Sequence, residues 1–193
     1  MNNRVDHDAW IGAATAAIAK GGVDRVRVEV LAQSLGVTKG GFYRRFKDRR
    51  ALLDATLSAW AAGRIAAIDE QTRLDGVSAA ERLRHLIRLY SERVNAEAMA
   101  IELGIRQWAR ADQQAAAAVA RVDTARLRDV ASLYISLGVA PKQAEAQAFL
   151  FYSFIFGQSL LLLDQAQRKR RSLIAACAEV LTTDLAAQRT TSE

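Results

Sequence analysis

The stretch VEVLAQSLGVTKGGFYRRF, residues 28–46, determines the N-terminal fold of this chain. A first helix is indicated by apolar residues at positions i, i+3, i+4 and i+7, which are Val28, Leu31, Ala32 and Leu35. Gly36 supplies the positive φ angle that ends this helix, and the Thr38 hydroxyl can cap a second one. Phe42 and Phe46 lie one turn apart on the inner side of the second helix. The pattern predicts a helix, a glycine turn and a second short helix.

Basic residues concentrate in and just after the second helix. Residues 38–50 hold six basic side chains against one acidic side chain, a net charge of +5, whereas the whole chain carries +6. Arg44 points away from the inner side of the helix, and a short helix with a cationic outer face fits the major groove of DNA. We interpret the segment as a DNA-reading helix-turn-helix, with a solvated basic face as the alternative.

The composition favours an all-α fold. The chain has 193 residues, of which 51% are apolar, which is enough for a core. It contains one proline and eleven glycines and is rich in alanine, leucine and arginine, which favour helices. We expect an N-terminal three-helix domain in residues 1–50 and a helical domain in residues 51–193.

Several classes of protein are disfavoured by what the sequence contains. Cys177 is the single cysteine, so neither a disulfide within the chain nor a cysteine metal site is expected. The N-terminus lacks a secretion-signal pattern, and the apolar run 148–163 is shorter than a membrane span of about 20 residues. We therefore expect a cytoplasmic protein that has no membrane association, no metal and no cofactor.

Start and stop signals predict the later helices. A helix begins near Asp48 and extends to about Thr72, and a capping box at Ser78 to Glu81 opens the next. A short helix containing Ile101, Ile105 and Trp108 comes next. The remaining helices are expected over residues 112–137, from Pro141 to about Gln165, and from about 168 to 187.

The segment AFLFYSFIFGQSLLLL, residues 148–163, is apolar nearly all the way round a helix. Such a helix needs cover on several sides, and the last helix can pair with it on one of them. Two such pairs from two copies would form a four-helix dimer interface, although burial inside a monomer is the alternative. The expected interface residues are Phe149, Tyr152, Phe156, Leu160, Leu173 and Cys177.

Residues Trp10 to Ala55 resemble the TetR family of transcriptional regulators, and the similarity is closest at LAQSLGVTKGGFYRRFKDRRALLDA, residues 31–55. The resemblance implies that the second short helix enters the major groove of an operator. The residues at the family's DNA-contact positions are Thr38, Lys39, Gly40, Tyr43, Arg44 and Arg45.

The chemistry of these side chains indicates unequal roles. Lys39 and Arg44 can donate to guanine O6 and N7, which is base readout. Thr38, Tyr43 and Arg49 suit phosphates. Two further arginines are less definite, because Arg27 can add a phosphate contact and Arg45 has a structural or solvated role as its alternative.

Two residues depart from the family pattern. Gly41 stands where the family usually has serine or threonine, which leaves two adjacent glycines that each cost about 1 kcal/mol relative to alanine in a helix. Val28 stands where the family commonly has a capping hydroxyl. We expect the reading helix to be soft until DNA orders it.

The resemblance further implies a C-terminal region that binds a small effector and forms the dimer. Arg106 lies on a largely apolar helix and needs Glu102, Asp123 or an anionic ligand as a partner. The candidate pocket residues are Tyr90, Met99, Glu102, Arg106, Trp108, Tyr134, Phe149 and Tyr152, each with a core or surface role as its alternative.

The function expected from these observations is that of a homodimeric DNA-binding repressor, released from its operator by a small molecule. An alternative is a helical dimer that binds a ligand or a protein and has only non-specific affinity for DNA. An enzyme is disfavoured, because His7 and His85 are the only histidines and no catalytic triad or phosphate loop is apparent.

Overall fold

A computed structural model describes residues 5–73, 75–91, 96–161 and 167–187, and all regular structure within these ranges is helical. A single 3₁₀ turn, Val23–Arg25, follows the first α-helix. The expected all-α fold is confirmed. The α-helices are α1 (His7–Gly21), α2 (Val28–Ser34), α3 (Lys39–Tyr43), α4 (Arg49–Thr72), α5 (Ala79–Ser91), α6 (Ala96–Ala109), α7 (Gln113–Ser136), α8 (Pro141–Leu160) and α9 (Gln167–Ala187).

The chain divides into two compact units. The first contains residues 1–65 and 96–123, and the second contains residues 66–95 and 124–193. The first unit therefore holds α6 and the start of α7 in addition to the three predicted N-terminal helices. The functional boundary at residue 50 stays a prediction.

The core of the first unit forms where α1 meets the helix-turn-helix and α6. Trp10, Phe42 and Leu52 are fully buried there. Gly104 permits α6 to approach α1 closely, because a Cβ atom at that position would lie 2.8 Å from both Cγ2 and the carbonyl oxygen of Ile18. A larger residue at position 104 would push the two helices apart.

The second unit has its own core between α5, α7, α8 and α9. Leu86, Val130 and Phe151 are fully buried in it. Tyr134 is also buried, and its hydroxyl donates a hydrogen bond of 3.0 Å to the carbonyl oxygen of Leu181. Burial raises the pKa of Tyr134, so the phenol stays protonated.

Most predicted caps are observed. The Ser78 hydroxyl accepts from the Glu81 amide at 3.3 Å, and Glu81 Oε2 accepts from the Ser78 amide at 3.1 Å, which confirms the capping box. Asp48 accepts from the Ala51 amide at the start of α4, and Pro141 is in the first turn of α8.

Two expectations about helix ends are wrong. Thr38 precedes α3, but its hydroxyl makes no capping hydrogen bond. The α8 helix ends at Leu160, before the predicted end at Gln165, because Leu161 adopts an extended backbone. Gln165 itself lies outside the described residues.

Among the described helices, α4 is long and apolar enough to cross a membrane by length and composition alone. This is weak evidence, since Leu52, Leu53 and Leu57 of α4 are buried in the protein. A core helix passes the same test.

Candidate nucleic-acid interface

The helix-turn-helix is formed by α2, a tight turn and α3. Gly36 has a φ of 67°, which is the left-handed conformation expected from the sequence. The turn is closed by backbone hydrogen bonds from the Gly36 amide to Gln33 and from the Val37 amide to Ala32, at 3.1 and 3.0 Å. Local backbone chemistry therefore sets the direction in which α3 leaves α2.

An aromatic cluster fixes the inner side of α3. The fully buried Phe42 ring meets Trp10 edge-on at 5.2 Å and stacks on Phe46 at 5.6 Å, measured between ring centroids. His7 in turn stacks on Phe46 at 4.3 Å. The predicted inner positions of Phe42 and Phe46 are confirmed, although Phe46 lies just beyond the end of α3. This rigid inner side turns the opposite side of α3 toward solvent.

Cationic and aromatic side chains cover the exposed side. Tyr43 is 56% exposed, and its ring rests edge-on against Phe42. The side chains of Arg44, Arg45 and Lys47, which follow the end of α3, are exposed and make no hydrogen bond or ion pair with any residue that the structure describes. Their charges are available to an anionic partner.

Three nearby cations have protein partners instead. Arg49 donates from Nε to the carbonyl oxygen of Val26 at 2.6 Å, and from a terminal nitrogen to that of Val23 at 2.7 Å. Arg50 pairs with the carboxylates of Asp54 and Asp112. Lys39 donates to a carboxylate oxygen of Glu29. Arg49 thus has a structural role in the free protein, whatever phosphate contact it makes on DNA.

The other predicted contact residues are exposed within or just before the helix-turn-helix. Thr38 and Gly40 are exposed at its start, and Arg27 is exposed in front of α2. A side chain at Gly40 would meet nothing closer than the Thr38 hydroxyl at 3.7 Å. The roles of the predicted contact residues on DNA stay predictions.

The predicted pocket residues are divided between the two units. The first unit contains Met99, Glu102, Arg106 and Trp108, whereas the second contains Tyr90, Tyr134, Phe149 and Tyr152. Tyr134 and Tyr152 belong to the second core, and Phe149 is 63% exposed.

Arg106 finds the acidic partners that the sequence suggested. Its Nε donates to Glu102 at 2.9 Å, and a terminal nitrogen donates to Asp123 at 2.9 Å. Glu102 is only 2% exposed and also lies 3.8 Å from Arg64. These pairs join α4, α6 and α7 and satisfy the cation without requiring a ligand.

The predicted dimer residues differ in how much surface they leave free. Phe149 and Leu160 are each 63% exposed and Leu173 is 49% exposed, whereas Tyr152 is only 5% exposed. Phe156 and Cys177 are half-buried. A cavity of about 290 Å³ separates α8 from α9 and is lined by Phe154, Gly157, Gln158, Leu161, Arg170, Leu173, Ile174 and Cys177.

Sequence reasoning missed contacts that join distant positions. His7 stacks under the helix-turn-helix, Glu29 pairs with Lys39, and Arg50 pairs with Asp112 across a separation of 62 residues. The opposite charges of Glu29 and Lys39 were visible in the sequence, but no helical spacing connects residues in two different helices. Only packing brings them together.

Residues 11–56 match the sequence model of the bacterial regulatory proteins of the tetR family. A search of curated protein sequences gives no significant match. The family match covers α2, α3 and the turn between them, so it falls on the geometry described above.

Similar folds occur along almost the whole chain. A TetR-family transcriptional regulator from Rhodococcus sp. has 24% sequence identity and a TM-score of 0.71, with 91% of this chain and 98% of that chain covered. GusR from Salmonella enterica has 15% identity and a TM-score of 0.71, with 97% and 96% covered. FadR from Bacillus subtilis, whose structure contains stearoyl-CoA, has 17% identity and a TM-score of 0.60, with 92% and 98% covered. Residues 11–56 are thus similar to the bacterial regulatory proteins of the tetR family, and the chain as a whole shares the fold of these solved structures.

Proposed function

We propose that the protein is a cytoplasmic, homodimeric repressor that binds an operator through α3 of each copy. The exposed, unpaired cations at Arg44, Arg45 and Lys47 carry this proposal, because they directly follow α3, whose inner side is packed on the aromatic cluster. An operator with two half-sites follows from two copies of the reader.

Residues 1–50 are proposed to read DNA and residues 51–193 to dimerise and to bind a small effector that releases the operator. FadR, a protein of similar fold, was solved with stearoyl-CoA. Support within this chain is the apolar cavity of about 290 Å³ between α8 and α9, which is close to the lower end of sizes for small-molecule sites. None of the pocket residues expected from the sequence lines this cavity, so those residues are a separate candidate set for the effector contact.

Mobility-shift titrations with the promoter regions that flank its own gene test DNA binding. We expect Arg44→Ala to weaken specific binding by about 1–3 kcal/mol, because a good bidentate base contact contributes that much discrimination. The matched control is Arg121→Ala, since Arg121 is an exposed arginine of α7 in the first unit. An unchanged shift with Arg44→Ala would contradict the proposed reading helix.

The alternative of non-specific DNA affinity makes a different prediction. All duplexes would then bind with similar, weak affinity, and the affinity would fall steeply with salt, because phosphate contacts alone would remain. Binding that persists at higher salt for one sequence excludes this alternative.

A further inference from the structure

An acidic side chain lies against the first residue of the recognition helix. Glu29, in the first turn of α2, accepts a hydrogen bond from the Lys39 ammonium at the start of α3. Lys39 is also one of the two residues proposed to read bases. The Glu29 carboxylate therefore contacts the Lys39 ammonium, which must point at a base edge if it is to donate a hydrogen bond there.

This ion pair contributes little to folding. The side chains of Lys39 and Glu29 are 52% and 64% exposed, and exposed pairs have a small net effect on stability because water competes for both charges. Its main consequence is the loss of freedom of a long lysine side chain. The next two residues, Gly40 and Gly41, have no side chains that would restrict it, so Glu29 is the contact that gives the ammonium a direction.

Both members of the pair are charged at neutral pH. The hydrogen bond from Lys39 lowers the pKa of Glu29, and the same bond raises the pKa of Lys39. A fixed negative charge therefore stands beside the cationic surface of α3. It attracts Lys39 and repels the phosphates that all DNA sequences share.

We propose that Glu29 determines operator specificity through Lys39. It directs the lysine ammonium at base edges and weakens the binding of the helix-turn-helix to arbitrary DNA. Glu29 is a positioning residue in this scheme, and the inference rests on the proposed function. The carboxylate thus lowers total affinity and raises discrimination, which are opposite effects on two measurable quantities.

The experiment uses the full chain and a duplex that the wild-type protein selects from a random-sequence pool. Fluorescence anisotropy measures binding to this duplex, to each of its single-base-pair variants and to an unrelated duplex, over a range of salt. The variants are Glu29→Gln, Lys39→Ala and the double substitution. Asp24→Asn is the control, because Asp24 is exposed just before α2 and its substitution changes the net charge equally.

We expect Glu29→Gln to bind the unrelated duplex about threefold more tightly and to steepen the salt dependence by up to about one unit of slope. Discrimination should fall about tenfold at one base-pair position or more, since a directed donor is lost. Asp24→Asn should keep wild-type discrimination. In the Lys39→Ala background, Glu29→Gln should cause no further loss.

A second variant separates charge from contact. Glu29→Asp keeps the negative charge but shortens the side chain, so binding to the unrelated duplex should stay at the wild-type level while discrimination falls. The inference is overturned if Glu29→Gln discriminates between the selected duplex and its variants as well as the wild type does. It is also overturned if Glu29→Gln reduces this discrimination as much in the Lys39→Ala background as in the wild type. If the wild type selects no sequence from the pool, the proposed function fails first, which is a distinguishable result.

Discussion

Around α3 the first unit exposes cationic side chains, whereas along α8 and α9 the second unit exposes leucine, phenylalanine and valine. Leu160, Leu161 and Val180 are each at least 60% exposed, while the aromatic side chains under α3 are buried. Exposed charge is well solvated and needs no partner for stability. Covering exposed apolar surface, in contrast, lowers the free energy by about 25 cal/mol per Å². Under the proposed function, the cationic surface around α3 would bind a polyanion, and the apolar surface of α8 and α9 would bind a second copy of the chain.

Substitutions at the neighbours Phe42 and Tyr43 compare the buried side of α3 with its exposed side. Phe42→Ala should lower the free energy of unfolding by about 3–5 kcal/mol, because it empties the centre of the aromatic cluster. Tyr43→Ala should change stability by less than about 1 kcal/mol and mainly weaken DNA binding. Urea denaturation and DNA titration measure the two effects. Equal destabilisation by both substitutions would show that the burial difference is unimportant.

Leu160 offers a test of the apolar surface of the second unit. Leu160→Arg should weaken dimerisation by about 2–4 kcal/mol, because a charge would be buried within the proposed interface. Sedimentation velocity measures the change. This variant is preferable to one at Phe156, since the Phe156 ring packs on the core and lies 5.3 Å from the Arg126 guanidinium.

The control for that experiment is Ile135→Arg, which places the same charge at an exposed apolar residue of α7 in the second unit. It should leave the dimer intact. If Leu160→Arg remains a dimer, α8 does not form the interface.

Asp112 tests how the stability of the first unit depends on the ion pair between Asp112 and Arg50. The hydrogen bond from Arg50 lowers the pKa of the Asp112 carboxyl from 3.8 to about 2. The ionised form is therefore favoured by folding, so its contribution to stability is complete above about pH 5 and is lost as the pH falls toward 2.

Asp112→Asn keeps a capping oxygen for the Ala115 amide but removes the ion pair with Arg50. Its destabilisation relative to the wild type should be largest near pH 7 and should shrink between pH 4 and pH 2. Urea midpoints measured across this range check the prediction. A difference that stays constant with pH would contradict the role of the charge.

The smallest expected effect compares two helix starts. Ser78→Ala should cost about 1 kcal/mol, because it removes the hydroxyl from a complete capping box. Thr38→Ala should cost only a few tenths of a kcal/mol, since the Thr38 hydroxyl caps nothing in the free protein. Thermal denaturation distinguishes them, and an equal loss for both would mean that Thr38 is a working cap in solution.

Local features were predictable because they depend on neighbours within a few residues. The positive φ of Gly36, the capping box at Ser78 and the buried side of α3 all follow from backbone preference and helical period. Where the prediction was wrong, at the Thr38 hydroxyl and the end of α8, the sequence pattern allowed more than one local geometry. Neither proline nor glycine marks the observed end of α8.

The sequence by itself determined the helices, the family resemblance and the concentration of positive charge around α3. Tertiary structure alone decided which of those charges are free. It engages Arg49 with backbone carbonyls, Arg50 with Asp112 and Lys39 with Glu29, but leaves Arg44 exposed and unpaired with any described residue. The reason is physical: the number and order of charges are properties of the chain, whereas their pairing depends on distances that exist only after the helices pack.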